Sequence, residues 1–324
     1  MSLWNELKKP LFVMAPMADV TDAAFRQVVA KRGAPAVFWT EFVSADGLYH
    51  TREIKKMRDE ENPLVGILAK SELERPIVAQ IFSAKPDMIT YATKLVTELG
   101  FDGVDINMGC PDRAIEKQGC GAAMMKNPKL AQEIIRAAQK ASSLPVSVKT
   151  RIGYNTESLD EWLTALLEAS PAAITLHLRT RKDMSLVPAD WEVMKKAVEI
   201  RNRVNPSVLL IGNGDVQDLD DARIKVAESG CDGVMLGRAM FGNPWVFAGR
   251  KSEDTSLAQK LAALIELAQD FEKLTPRKNF SILKKHIKAF VTGFDGAAEL
   301  RAKLMETDSA AALEAVVAPY RISA

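Results

Sequence analysis

The chain reads GVDINMGCP from Gly103 to Pro111, a short apolar run that ends in polar and reactive side chains. Apolar runs of four to six residues, bounded by glycine, proline or polar residues, are typical of strands that a parallel sheet buries on both faces. Seven more such runs occur: Leu11–Met14, Ala36–Thr40, Ile77–Ile81, Val146–Thr150, Ala173–His177, Val208–Ile211 and Gly233–Leu236. The sequence therefore predicts eight buried parallel strands.

Helical patterns separate most of these runs. They span Thr21–Arg32, Pro86–Leu99, Asn127–Ser142, Ser158–Ala169, Trp191–Arg203 and Asp218–Ser229. Thr21, Asn127 and Asp218 are candidate N-caps, while Gly100 and Gly230 are candidate helix stops. Each strand is thus followed by a helix or, in one case, by a longer irregular segment.

Eight strand-then-helix units predict an α/β fold, a (β/α)8 TIM barrel, over about residues 10–248. The charged interval 41–76 is expected to be irregular with a short helix. A doubly wound open sheet is the alternative, but no GxGxxG follows the first strand.

The sequence changes character after residue 248. A polar linker, Lys251–Thr255, precedes a helical stripe over Leu257–Leu274. A second helical pattern starts at Pro276, and two shorter ones are expected at about 296–305 and 307–317. We therefore predict two domains, a barrel over residues 1–248 and a small C-terminal α-helical bundle over 249–324.

Composition excludes several classes of protein. Lys plus Arg is 43 and Asp plus Glu is 42, so any nucleic-acid site must be a local patch. Three cysteines without a CxxC support neither a disulfide framework nor a zinc site, and three histidines argue against a three-His metal centre. No signal peptide and no apolar run of about 20 residues is evident, so we expect a soluble cytoplasmic protein without a metal.

Polar side chains cluster at the predicted carboxyl ends of the strands, where TIM barrels hold their active sites. The loops Gly212–Asp215 and Gly237–Arg238 follow the last two strands, and their backbone N–H groups could cradle a phosphate that Arg238 grips. The alternative is that these glycines only serve tight turns.

Three strand-end side chains are candidates for chemistry. Lys149 should point into the barrel mouth or the layer below, with a structural ion pair to Glu41 as the alternative. Cys110 begins a loop, and an ordinary thiol is mostly protonated at neutral pH, so it can act as an acid. His177 ends a strand among these groups, although a lone histidine is often a core residue.

Taken together, these motifs resemble the tRNA-dihydrouridine synthase family. The similarity runs in order from about residue 11 to 247, and its most specific elements are Asn107-Met108-Gly109-Cys110-Pro111 and His177-Leu178-Arg179-Thr180-Arg181. Other matching elements are Met14-Ala15-Pro16-Met17, Thr40-Glu41, Gln80, Gly119–Ala123, Val148–Arg151, Ala189-Asp190-Trp191, Gly212–Asp215 and Gly233–Arg238.

The resemblance implies reduction of the uridine C5=C6 bond in tRNA by FMN, which NADPH (or NADH) re-reduces. Cys110 matches the acid that protonates C5. The implied cofactor-binding residues are Ala15, Pro16, Met17, Gln80, Lys149, His177, Asn213, Gly214, Asp215, Gly237 and Arg238. Asn107 would hold the uracil edge, and Arg151 and Arg179 are candidates for flavin or RNA.

A basic stretch in the C-terminal segment is the candidate RNA-binding surface. Lys273–Lys288 carries no acidic residue, and the candidate RNA contacts are Lys284, Lys285 and Lys288. By itself such a stretch is usually a solvated charged face, and the family's helical RNA-binding region favours the RNA reading. No sign of an obligate dimer is evident, so a monomer is expected.

The resemblance breaks down after Arg181. Where the family usually has a Gln, an aromatic residue and a Gly, this chain has Lys182–Pro188. The alternatives that remain are a synthase acting on rRNA, a reductase of free pyrimidines resembling dihydroorotate dehydrogenase, and a non-catalytic RNA-binding barrel. The target uridine is not specified by the sequence.

Overall fold

The computed structural model describes residues 3–321, and its centre is a closed parallel barrel. The strands are β1 (Leu11–Met14), β2 (Phe38–Trp39), β3 (Val43–Ser44), β4 (Ile77–Phe82), β5 (Gly103–Met108), β6 (Val146–Arg151), β7 (Ala173–His177), β8 (Leu209–Asn213) and β9 (Gly233–Leu236). They are ordered β1-β9-β8-β7-β6-β5-β4-β2, with the short β3 also paired to β4. Ala36 N–H donates to Phe12 O (2.8 Å) and Met14 N–H to Val37 O (3.2 Å), which joins β1 to the β2 segment.

The eight expected strands are therefore all present, and the predicted TIM barrel is confirmed. The second strand is shorter than expected, and the two-residue β3 was not predicted. Residues 50–54 form a π-helical turn within the interval 41–76, which is otherwise a series of short helices, including α3 (Ala45–Tyr49) and α4 (Pro63–Ile67). A short α1 (Leu3–Glu6) precedes the barrel, and α2 (Ala23–Ala30) follows β1.

The remaining barrel helices lie close to their expected positions: α5 (Pro86–Glu98), α6 (Arg113–Glu116), α7 (Pro128–Ala141), α8 (Leu159–Glu168), α9 (Glu192–Val204) and α10 (Leu219–Ser229). Asn127 and Asp218 cap α7 and α10 as predicted. Thr21 does not cap α2, because the neighbouring Asp22 carboxylate accepts the N–H of Phe25 (3.0 Å). The Thr21 hydroxyl instead accepts the N–H of Met17 (2.9 Å).

The lower part of the barrel interior is apolar. Alternate strand residues point inward, and those from β1, β2, β4, β7, β8 and β9 form one buried cluster with Trp4 of α1. Trp4 is 3% exposed, and its ring centroid lies 5.9 Å from that of Trp39. The N-terminal helix thus supplies a side chain to the packed interior, away from the carboxyl ends of the strands.

The C-terminal segment is helical, with α11 (Leu257–Glu272), α12 (Lys284–Phe290), α13 (Ala297–Met305) and α14 (Ala310–Arg321). The helix expected from Pro276 begins later, with one 3-10 turn at Phe280–Leu283 before α12. Within residues 3–321, no helix is both long and apolar enough to cross a membrane.

Acidic residues of the barrel hold the start of the C-terminal α12 region in place. Lys278 Nζ lies 2.9 Å from Glu41 Oε2 and 3.9 Å from Asp22 Oδ2, and both carboxylates are buried. Lys285 pairs with Asp19 (3.1 Å) at an exposed position, and the buried His286 ring contacts Val20 O (3.1 Å). The helical segment is therefore bound to the loops that follow β1 and β2.

Replacing Lys278 with Met should destabilise the protein. The substitution leaves Glu41 and Asp22 buried without their cation, so we expect the free energy of unfolding to fall by about 3 kcal/mol. Urea unfolding followed by tryptophan fluorescence measures this. Lys285→Met is the matched control, because its exposed pair with Asp19 should contribute no more than about 1 kcal/mol. Equal losses of unfolding free energy in the two variants would contradict the stabilising role assigned to the buried Lys278 ion pair.

Candidate active site

Two adjoining cavities of about 240 and 160 Å³ open at the carboxyl ends of the strands, and both are lined by Pro16, Lys149 and His177. The larger also contacts the predicted residues Ala15, Met17, Arg179, Asn213, Gly214, Asp215, Gly237 and Arg238. The smaller contacts Gln80, Asn107, Cys110 and Arg151. The structure thus brings together all the predicted site residues of the barrel.

A chain of hydrogen bonds rises from the barrel interior to Cys110. The fully buried Asp105 carboxylate accepts from Gln80 Nε2 (2.7 Å) and from the Ser147 hydroxyl (2.6 Å). Gln80 Oε1 accepts from Asn107 Nδ2 (3.1 Å), and Asn107 Oδ1 accepts the backbone N–H groups of Gly109 (3.1 Å) and Cys110 (2.9 Å). Because an ionised carboxylate can only accept, Asp105 fixes the orientation of both amides.

These hydrogen bonds give Asn107 a role besides the predicted uracil contact, which stays a prediction. Its oxygen is occupied by the loop that carries Cys110, so the side chain positions the thiol. Burial raises the pKa of Asp105 to about 6, so its carboxyl still carries a negative charge for most of the time at neutral pH. Asp105 was not singled out from the sequence, although an aspartate inside an apolar strand, two residues before Asn107, is a recognisable signal.

Cys110 is half-buried at the edge of the smaller cavity. Burial raises the pKa of its thiol above the ordinary value, so the sulfur stays protonated at neutral pH. The loop covering it approaches closely: Ala122 N–H donates to Cys110 O (2.9 Å), and a Cβ at Gly121 would lie 2.6 Å from that oxygen. Cys120 and Cys231 are buried and lie outside both cavities.

Lys149 is an unpaired cation at the junction of the two cavities. Glu41, its alternative partner, pairs with Lys278, and no carboxylate among residues 3–321 forms an ion pair with Lys149. Burial, followed by the neighbouring Arg151, lowers the pKa of the Lys149 ammonium to about 8. The group is thus available to an anionic ligand.

His177 is held neutral. Burial, together with Lys149 and the surrounding arginines, lowers its pKa to about 2. Arg179 Nη1 lies 3.2 Å from His177 Nε2, and a guanidinium can only donate, so the ring proton is on Nδ1. Arg179 is itself buried and also pairs with Asp215. It therefore joins His177 to the glycine loop after β8.

The two predicted glycine loops face the larger cavity. Gly214 has φ +132°, a conformation that favours glycine, and a Cβ there would lie 2.7 Å from the Cβ of Ala189. Asp215 bridges the buried Arg179 and the exposed Arg238. The glycine loops and the exposed Arg238 guanidinium therefore line one side of the cavity.

Arg151 links two loops, a role that the sequence did not predict. Its Nε donates to Gly109 O (2.9 Å), and its Nη1 donates to Thr180 O (3.0 Å) and Met184 O (2.9 Å). It thus connects the Cys110 loop to the loop after β7. Such contacts between loops distant in sequence leave no local pattern.

The predicted RNA-binding lysines lie outside both cavities. Lys284 is half-buried and Lys288 is exposed on α12, whereas Lys285 pairs with Asp19 of the loop after β1. Since that loop leads from β1 at the mouth, α12 flanks the mouth of the barrel. Lys278, which belongs to the same basic stretch, lies before the helix and donates to Glu41 (2.9 Å).

Comparisons with known proteins agree with this geometry. The sequence model of the family described as Dihydrouridine synthase (Dus) matches residues 13–321. A Staphylococcus aureus (strain COL) protein named probable tRNA-dihydrouridine synthase is 40% identical over 98% of this chain and 94% of its own. Probable tRNA-dihydrouridine synthase 2 of Bacillus subtilis (strain 168) is 41% identical over 95% of this chain and 93% of its own.

Solved structures share the fold at low sequence identity. A 2-naphthoyl-CoA reductase complex matches with a TM-score of 0.58 and 11% identity, covering 78% of this chain and 52% of that one. Histamine dehydrogenase from Rhizobium sp. 4-9 matches with a TM-score of 0.53 and 12% identity, covering 96% and 62%. These likenesses support the barrel architecture.

Replacing Gln80 with Leu should release the Cys110 loop. The change removes the donor to Asp105 and the acceptor for Asn107, so we expect a loss of roughly 1–3 kcal/mol in stability and a faster reaction of Cys110 with a disulfide reagent. Thermal unfolding and thiol titration measure the two effects. Gln139→Leu, which removes hydrogen bonds to Ala169 and Ser170 away from the site, should leave thiol reactivity unchanged. Unaltered reactivity in the Gln80 variant would refute the positioning role.

Proposed function

Because the chain belongs to the dihydrouridine synthase family, we propose that it reduces the C5=C6 bond of uridines in tRNA to give 5,6-dihydrouridine. The observation that carries the proposal is the shared cavity edge where the protonated Cys110 thiol, the Lys149 ammonium and the neutral His177 converge. We propose FMN as the bound cofactor and NADPH, or NADH, as the reductant.

The residues of the larger cavity fit FMN. Backbone N–H groups of the loops at Gly214 and Gly237, with the Arg238 guanidinium, suit a phosphate. Lys149 suits the electron-rich edge of the ring system, where a cation stabilises negative charge. The proposed set is completed by Ala15, Pro16, Met17, His177, Asn213 and Asp215 of the larger cavity and by Gln80 of the smaller one. When bound, the flavin supplies the hydride that is added to C6 of uracil.

Cys110 supplies the proton. Hydride addition at C6 places negative charge on C5 and the conjugated C4 carbonyl, and the thiol proton then passes to C5, leaving a thiolate that solvent reprotonates. A thiol with a raised pKa keeps that proton until the substrate needs it. Asn107 holds the loop, and hence the sulfur, at the cavity.

Folded RNA must release its uridine before the base can enter the cavity. We assign the grip on the surrounding phosphates to Lys284 and Lys288, which flank the mouth, and to the helical segment 249–324 as a whole. Lys285, as the partner of Asp19, contributes to holding that segment. A monomeric, cytoplasmic enzyme without a metal stays our prediction.

An anaerobic single turnover tests the proposed function. The flavin-loaded protein is reduced, mixed with unmodified tRNA transcript, and followed by the return of the oxidised flavin spectrum. We expect reoxidation by tRNA and none by free uridine. Reoxidation by rRNA alone, or by free pyrimidines, would show that tRNA is not the substrate. A protein that binds no FMN would contradict the proposed enzymatic function.

In the same assay Cys110→Ala should still bind FMN and be reduced by NADPH, because its cavity keeps the other contacts. Transfer to tRNA should fall by roughly 10²–10⁴-fold, the usual contribution of a general acid. Cys231→Ala, at a buried cysteine away from the site, is the control. A normal single-turnover rate in the Cys110 variant would remove the thiol from the proton-donor role.

FMN affinity should depend on pH through Lys149. The ammonium loses its proton as pH rises through about 8, so a ligand that accepts its hydrogen bond binds more weakly above that pH, by up to about tenfold per unit. Fluorescence titration between pH 7.5 and 9.5 measures the affinity. Lys149→Met should bind weakly with a flat profile, whereas Lys196→Met, on the outer surface, should keep the wild-type slope. Parallel slopes in the Lys149 variant and wild type would contradict this assignment.

A further inference from the structure

The loop after β7, residues 182–188, carries an unusual apolar surface at the edge of the site. Leu186 is 87% exposed, Val187 43% and Met184 40%. Only three other large apolar side chains are exposed among residues 3–321, and they are scattered at Ile54, Leu73 and Ile224. A clustered apolar patch of this kind needs a partner, whereas isolated exposed side chains do not.

The loop borders the larger cavity. Ser185 lines that cavity together with Lys149 and His177, and Ala189 at the end of the loop donates its N–H to Asp215 (2.8 Å). Met184 O also accepts from Arg151, a residue that lines the smaller cavity with Cys110, so the loop lies beside both cavities.

The loop is also held in shape. Its carbonyl oxygens at Met184 and Val187 accept hydrogen bonds from the buried guanidiniums of Arg151 (2.9 Å) and Arg179 (2.5 Å). Leu186 N–H donates to Asp183 O (2.9 Å), which closes a turn within the loop. A preorganised loop binds a partner at a smaller entropy cost than a mobile one.

Two cations lie near the start of this loop. Lys182 is exposed within the loop, and Lys126 is exposed with its ammonium 3.8 Å from the Tyr154 ring centroid. The Tyr154 carbonyl accepts the N–H of Lys182 (2.9 Å), which places the two lysines on neighbouring segments. Apolar side chains flanked by positive charge match a nucleic acid, whose base faces are apolar and whose phosphates are anionic.

From these contacts we propose that Met184, Leu186 and Val187 pack against the base next to the extruded uridine and replace the stacking that the base loses. This inference rests on the proposed function and adds a specificity-determining contact to it. Apolar side chains fill gaps between bases in this way when nucleic acids are opened. In this chain the contact is made by the segment 182–188, where the family resemblance breaks down.

Leu186→Ser tests the proposal in the anaerobic single turnover with tRNA. We expect its rate at subsaturating tRNA to fall at least about fivefold below wild type, because the apolar contact of the leucine with the base is lost. Leu186→Met, which keeps an apolar side chain, should restore most of the rate. Ile224→Ser, at an exposed isoleucine on α10, is the matched control and should react like wild type. Flavin content and thermal unfolding confirm that each variant is folded.

The outcomes separate the two proposals. A wild-type rate in Leu186→Ser, while wild type reduces tRNA, overturns the apolar contact and leaves the function standing. A wild-type protein that neither binds nor reduces tRNA overturns both. If sedimentation instead shows a self-association that Leu186→Ser abolishes without changing the tRNA rate, the patch serves a second copy of the chain, and the contact with RNA is refuted.

Discussion

A buried carboxylate at Asp105 fixes the geometry on which the candidate site depends. It can only accept hydrogen bonds, so the Gln80 amide must turn its nitrogen toward it and its oxygen toward Asn107. Asn107 must then present its own oxygen to the backbone at Cys110. One negative charge inside the barrel thereby determines the position of the Cys110 thiol at the mouth. It acts through the side-chain amides of Gln80 and Asn107, which could otherwise adopt either orientation.

Buried carboxylates also join the barrel to the C-terminal helical segment. Glu41 and Asp22 lie in loops above the barrel and need a cation, which arrives as Lys278 from the C-terminal segment. The predicted domain boundary at 248/249 therefore marks a change in the sequence pattern. The loops after β1 and β2 are stabilised by residues from both sides of it. Lys149 forms no ion pair among the described residues and lines both cavities, where a ligand can reach it.

Strands and helices with a local apolar periodicity could be predicted from the sequence, whereas contacts between residues distant in sequence could not. The strand runs and most helices follow from local apolar periodicity, and the barrel rule then placed Cys110, Lys149 and His177 at one mouth. The delayed start of α12 and the pairing of Lys278 depend on partners that the fold brings together, whereas the cap of α2 is a local contact between Asp22 and Phe25. Gln80 and Asp105 are 25 residues apart, so their hydrogen bond has no local signature.

The apolar packing beneath the site has a kinetic consequence. Trp4 and the inward-facing residues of the strands fill the interior below the polar layer, so the site is reached from the carboxyl ends of the strands alone. Under the proposed function, a nicotinamide and a uracil that use the same flavin would then have to approach through one opening. If they occupy it in turn, the oxidised nicotinamide departs before RNA enters, and steady-state data should give parallel double-reciprocal lines, the signature of a ping-pong reaction.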